Sequence, residues 1–169
     1  MFFASPMSSS EASGLERRAR LVQTFSEKTG IDEAMIVRLV HGFYGKVRKD
    51  SLIGPVFERV IGEDWNPHLA KMCDFWSSVM LMSGRYKGNP MLAHMRLKTI
   101  RPAHFERWLE LFRESAADLC PPKAADAFIA RANNIAKSLQ LGLFFRPGAT
   151  PAAAAARTSF THNTMAKKE

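Results

Sequence analysis

Apolar side chains return every three or four positions along most of this chain, and Gly and Pro punctuate the runs. That period marks amphipathic helices. From about Glu11 to Lys28 the stripe is Leu15, Ala19, Val22 and Phe25, and Gly30 ends it. Asp32 then caps a helix with Glu33 in its first turn. Its stripe is Met35, Ile36, Leu39, Val40, Phe43, Tyr44 and Val47, and it fades in Arg48-Lys49-Asp50. Gly54-Pro55 starts a short helix through Ile61, with Val56, Phe57, Val60 and Ile61 facing a core, and Gly62 stops it. A longer helix, Asp64 to Met82, buries Trp65, Leu69, Met72, Phe75, Trp76, Val79 and Met80.

Residues 83–90 read as a loop, and Met91 to Leu97 as a helix of at most two turns. Pro102 breaks it, because a residue before proline avoids the helical region. A helix from Ala103 to about Leu119 carries Phe105, Trp108, Leu109, Phe112, Ser115, Ala116 and Leu119 on its apolar side. After Pro121-Pro122 the last helix runs from Lys123 to about Phe145, with Ala125, Phe128, Ile129, Ala132, Ile135, Ala136, Leu139 and Leu143 inward. No segment alternates with the period of a strand, so the fold class is all-α. The domain spans residues 31–146. Residues 1–30 form an extension, Ser-rich and disordered to about residue 10 and then helical, and residues 147–169 form a disordered basic tail.

Composition narrows the function classes. The chain has 169 residues, room for one core but not two. The net charge of +8 is uneven, since over residues 146–169 Arg146, Arg157, Lys167 and Lys168 stand against Glu169 alone. No helix carries the row of Arg and Lys with small residues that a groove reader needs, which argues against nucleic acid. Cys73 and Cys120 are far apart, with no metal-finger spacing, and point to buried thiols in a reducing cytoplasm. No apolar run reaches the roughly 18 residues of a membrane span. A hydrolase is disfavoured too: no H-E-x-x-H or G-x-S-x-G pattern occurs. The 12 Phe, 3 Trp and 9 Met would suit the walls of a pocket for a flat ligand, although a plain bundle core would look similar.

Three polar residues sit on or beside apolar stripes. Tyr44 lies on the stripe of its helix, and a buried tyrosine needs a partner for its hydroxyl. His68 shares a helix face with Met72 and Trp76, and His94 lies in the tiny helix after the loop. Either histidine alone reads as a packed or surface residue. Together they are separated by one long helix and one loop, which lets the chain turn back and set two imidazoles across a flat cavity. Haem chemistry wants that arrangement: one neutral imidazole for iron, and a shaped pocket with hydrogen-bond donors on the other side.

The order of motifs is more specific than any single residue. Phe43-Tyr44-x-Lys46-Val47-Arg48-Lys49-Asp50 is followed by Leu52-x-Gly54-Pro55-x-Phe57 and by Trp65-x-x-His68-x-x-Lys71-x-x-x-Phe75-Trp76. Then come Gly84-x-Tyr86-x-Gly88-x-Pro90-x-x-x-His94 and His104-Phe105-x-x-Trp108-Leu109-x-Leu111-Phe112. Over residues 31–145 this resembles the group III truncated haemoglobins, two-on-two helical sandwiches around haem. The chain also lacks the glycine-pair motifs of groups I and II. The resemblance implies haem b as cofactor and His94 as the proximal iron ligand. It implies a distal pocket of Tyr44, His68 and Trp108 with Phe43 and Met72, and haem packing by Phe57, Phe75 and Trp76. Lys71, Tyr86 and Arg96 are candidates for the haem propionates. The extension and the tail depart from the family pattern.

The resemblance further implies that O2, NO or CO is the ligand, and that the protein works as a monomer or weak dimer. Bound dioxygen gains partial negative charge, which donors from Tyr44, Trp108 and His68 would stabilise. Oxygen or nitric oxide chemistry, such as nitric oxide dioxygenation or peroxide reduction, would need an electron donor. The competing expectation is a basic helical module for nucleic acid or protein, without haem.

Overall fold

Asp32 sets the first long core helix in place. Its carboxylate accepts the backbone N–H of Met35 at 2.7 Å and opens α2, Glu33–Val47. The apolar stripe expected here is buried in full, from Met35 to Val47. The structure, a computed structural model, describes residues 9–145. Among them, α1 (Ser9–Thr29) precedes α2, and α3 (Gly54–Ile61), α4 (Asn66–Leu81), α5 (Pro90–Met95), α6 (Pro102–Leu119) and α7 (Pro122–Phe144) follow. No strand occurs among the described residues. Five of these helices have proline in the first turn after the cap, where its missing N–H costs nothing: α3, α4, α5, α6 and α7.

The core is two layers of paired helices. α2 packs on α4, α6 on α7, and α2 on α6 joins the layers. Aromatic rings fill that junction. Phe112 of α6 stacks on Trp76 of α4 at 4.9 Å and on Trp108 of its own helix at 5.2 Å, and takes the edge of Phe43 at 5.2 Å. Phe128 of α7 meets Trp76 edge-on at 5.7 Å. A ring truncated to Ala in such a cluster costs about 3–5 kcal/mol, so Phe112 is the keystone of the layer junction. The close approach of α2 and α6 also depends on Gly42, because a Cβ there would meet Leu119 Cδ1 at 2.4 Å.

Three local expectations are corrected. Val60 is 60 % exposed rather than core-facing. α3 lies at the edge and packs broadly on no other helix, so its period marks a shared face with little to cover it. Leu119 seats on Gly42 but remains 38 % exposed. The first helix begins at Ser9, before the end of the stretch expected to be disordered. The remaining N-terminal residues and the tail from Arg146 lie outside the described residues. No described helix is long and apolar enough to cross a membrane.

Candidate functional site

The α2 stripe that builds the core also delivers Tyr44 to its edge. Tyr44 is buried, and four rings surround it: Phe43 at 4.8 Å, His68 at 4.9 Å, Phe57 at 5.8 Å and Trp65 at 6.3 Å. Burial pushes the phenol pKa upwards, so the hydroxyl keeps its proton. Among the described residues no side chain or carbonyl hydrogen-bonds to that hydroxyl. Arg48, the residue that caps the C-terminal end of α2, lies 5.0 Å from the Trp65 ring centroid and closes the cluster by a cation–π contact.

His68 occupies the first turn of α4, where Pro67 and the Asp64 carboxylate, which accepts the Asn66 N–H at 3.0 Å, fix the start of the helix. Its ring stands perpendicular to that of Tyr44 and lies 6.1 Å from both Phe57 and Trp65. Burial, with the nearby Lys71 charge, pushes its pKa down to about 4. The imidazole is therefore neutral at physiological pH. Its Nε2 is buried with no hydrogen-bond partner. Native proteins seldom leave such an atom unsatisfied, because the lost hydration is not recovered. An unpartnered hydroxyl and an unpartnered ring nitrogen side by side suit a small polar ligand.

Trp108 joins the same region from α6. It is half-buried, stacked on Phe112 and met edge-on by Phe43 at 5.3 Å. Its neighbour Arg107 anchors this turn of α6. The Arg107 Nε donates to Asp50 at 2.8 Å and Nη1 to Glu110 at 2.9 Å. The Asp50 side chain, 8 % exposed, also accepts the N–H groups of Leu52 and Ile53. Burial raises the Asp50 pKa, but the Ile53 N–H and Arg107 outweigh it and hold the carboxyl below its usual value. One carboxylate thus ties the entry to α3, and with it the Phe57 wall, to the helix of Trp108.

On the other side, Asn89 caps α5 by accepting the Leu92 N–H at 3.0 Å. His94 lies one turn in, and its Nδ1 is 2.8 Å from the Pro90 carbonyl oxygen. A carbonyl only accepts, so Nδ1 carries the proton and Nε2 keeps its lone pair. A carbonyl that takes the Nδ1 proton in this way fixes the ring and aims the other nitrogen, as at imidazoles that bind metal. α5 packs on α7, where Met91 fits against Gly142, and Phe105 lies 6.1 Å from the His94 ring.

The loop between α4 and α5 is pinned. Arg85 bonds Glu33 of α2 and reaches Asp74 of α4 at 3.2 Å. Ser78 Oγ accepts the Tyr86 N–H at 2.9 Å, and buried Ser77 donates to Glu33 at 2.7 Å. Tyr86 meets Phe75 edge-on at 5.2 Å, and its hydroxyl lies over Gly88, where a Cβ would come within 2.4 Å of it. Met72 and Phe75 are half-buried on α4. Trp76 is in the layer junction. Lys71 and Arg96 are exposed and make no ion pair among the described residues.

These donors can be tested against haem. Among the described residues no three His, Cys, Asp or Glu side chains group as ligands for a bare metal ion. A single oriented imidazole is the donor set for iron already held by a macrocycle. The half-buried apolar residues Phe57, Met72 and Phe75 offer wall for an apolar plate, and the buried unpartnered His68 Nε2 offers a polar contact. The residues present therefore fit haem.

Asp50, Arg107, Arg85 and Arg48 were not singled out as site residues from the sequence. Their partners are up to 57 positions away, and no local pattern announces such a pair. The Asp50 turn alone had a local signal, an Asp two and three residues before the N–H groups it accepts.

Known proteins resemble this chain in sequence and in fold. The family model of bacterial-like globins matches residues 24–140. A group 3 truncated haemoglobin of Campylobacter jejuni subsp. jejuni serotype O:2 is 37% identical over 117 residues, which is 68% of this chain and 92% of that protein. The crystal structure of group III truncated haemoglobin from Campylobacter jejuni superposes with a TM-score of 0.66 at 35% identity, covering 71% of this chain and 96% of that one.

Proposed function

Since the chain belongs to the bacterial-like globins, and among them to the group III truncated haemoglobins, and is thereby a haem-binding globin, we propose that it holds haem b through His94 and binds O2, NO or CO beside Tyr44, His68 and Trp108. The observation that carries the reading is the His94 Nδ1 to Pro90 carbonyl bond, which leaves Nε2 free and oriented. When bound, haem supplies an iron that takes a diatomic gas and exchanges one electron.

The chain's own residues would do the rest. Tyr44, proton-bearing and without a protein acceptor, donates to the ligand. Trp108, fixed by stacking and with an indole that can only donate, is the second donor. His68, neutral, supplies a donor or an acceptor according to its tautomer. Phe43, Phe57 and Trp65 keep water away from these groups, which strengthens each bond. Phe57, Met72 and Phe75 line the plate, with Trp76 behind them in the core, while Lys71, Tyr86 and Arg96 pair with its carboxylates.

Three donors around a small ligand suit chemistry better than transport, because they slow release. The reading therefore extends to nitric oxide dioxygenation, in which nitric oxide, dioxygen and one electron yield nitrate, or to peroxide reduction. Both need an electron donor. The free, half-buried thiols of Cys73 and Cys120 support a reducing cytoplasm as the setting. Mixing the ferrous oxygenated protein with nitric oxide tests the chemistry. One nitrate per protein supports dioxygenation; release of unreacted dioxygen without nitrate contradicts it.

A further inference from the structure

From Phe75 to Phe105 the chain has no Asp or Glu, and it carries Arg85, Lys87, Arg96, Lys98 and Arg101. The second half of α7, on which α5 packs, has no acid either, because none occurs between Asp126 and Glu169. Arg85 is neutralised by Glu33 and Asp74. Lys98 and Arg101 are exposed, and among the described residues they make no ion pair, while Arg96 is the one assigned above to a haem carboxylate. Beside them, on α5, Leu92 is 49 % and Met95 62 % exposed. An apolar centre with a cationic rim is thus built on the helix of His94.

We propose that this face of α5 and of the turn into α6 is the docking surface for a small acidic one-electron donor protein, the kind that would reduce the iron. The inference rests on the haem reading above and identifies the missing redox partner by its charge. α5 is a single layer of chain behind the His94 imidazole, so a donor seated there approaches the iron by a short path. Exposed apolar side chains ringed by charge match the anatomy of a transient interface, and electron-transfer encounters are small ones. A second copy of this face would bring like charges together, and the chain's own tail is also basic, so neither complements the surface.

The probe is a plant-type [2Fe–2S] ferredoxin, mixed in reduced form with the ferric holoprotein and, oxidised, titrated into it by calorimetry. The wild type is expected to be reduced in a bimolecular step and to bind the ferredoxin, both weakening as salt rises. The variant Lys98→Glu/Arg101→Glu should lower both the rate and the affinity about tenfold or more at low salt. The control Arg38→Glu/Lys123→Glu makes the same change in net charge near Cys120, at the other end of α7, and should do far less. Reduction by dithionite should be the same for all three proteins. Equal losses in both variants, no salt dependence, or no ferredoxin reduction with normal dithionite reduction would each overturn the docking surface. Concentration-dependent self-association that Lys98→Glu/Arg101→Glu abolishes would overturn it too, in favour of a homodimer. A protein that takes up no haem fails the earlier reading instead, and its colourless spectrum distinguishes the two.

Discussion

The imidazole of His94 is held by the carbonyl of Pro90, 2.8 Å away and one turn earlier on a six-residue helix. That bond fixes which nitrogen is free, and it exists because Pro90 starts the helix and Asn89 caps it. Pro90 therefore acts through its carbonyl oxygen as well as through its ring. The Gly142 seat under Met91 then keeps the short helix on α7.

Removing the Trp108 donor should speed oxygen release. A hydrogen bond to a group with charge is worth about 1.5–3 kcal/mol, so Trp108→Phe should raise the dissociation rate about ten- to a hundredfold. Stopped-flow displacement of oxygen by carbon monoxide measures it, and an unchanged rate would remove Trp108 from the pocket chemistry.

Tyr44→Phe should separate function from stability. The hydroxyl has no hydrogen-bond partner among the described residues, so its loss leaves no partner stranded in the protein without haem. Thermal unfolding of that form should show no drop in Tm, while the oxygenated holoprotein releases its ligand faster. A lower Tm would mean that the hydroxyl makes a structural bond.

His68 sets a pH dependence. Its pKa falls from 6.5 to about 4 on folding, so below about pH 6.5 the unfolded chain binds the proton more readily than the folded one. Stability of the haem-free protein should fall as pH drops from 6.5 towards 4 and gain no further loss from this group below that. His68→Leu should flatten the slope in that window, as read by urea titrations at stepped pH. The depressed Asp50 carboxyl adds stability that is lost at lower pH, as pH falls through its folded value, and this part should survive in His68→Leu.

Asp50→Ala removes the acceptor for the Leu52 and Ile53 N–H groups and for Arg107. Leaving such donors without their acceptor costs about 1–3 kcal/mol, so a denaturant midpoint should shift accordingly. Arg107→Gln should cost less, because the bonds from the Leu52 and Ile53 N–H groups to Asp50 remain. A larger effect of Arg107→Gln would place the weight on the ion pair instead.

The helices and their proline starts were legible in the sequence because period and punctuation are local, and the two-layer fold through the motifs that carry the family resemblance. The same motifs single out Tyr44, His68, His94 and Trp108 as candidates, because their fixed order carries the family resemblance. The exposure of Val60 was not legible, since an apolar arc on an edge helix looks like one in the core. Nor were the Asp50–Arg107 and Glu33–Arg85–Asp74 connections. They join residues that only the folded backbone brings together, and charged residues at helix ends read as solvated until a partner is seen.

The most direct measurement is the absorption spectrum of the haem-loaded protein in its ferric, ferrous and carbon monoxide forms, for the wild type and for His94→Gly with and without added imidazole. Histidine ligation in the wild type, its loss in His94→Gly and its return with imidazole are the predicted results. A His94→Gly protein that keeps the wild-type spectra without imidazole would contradict His94 as the iron ligand.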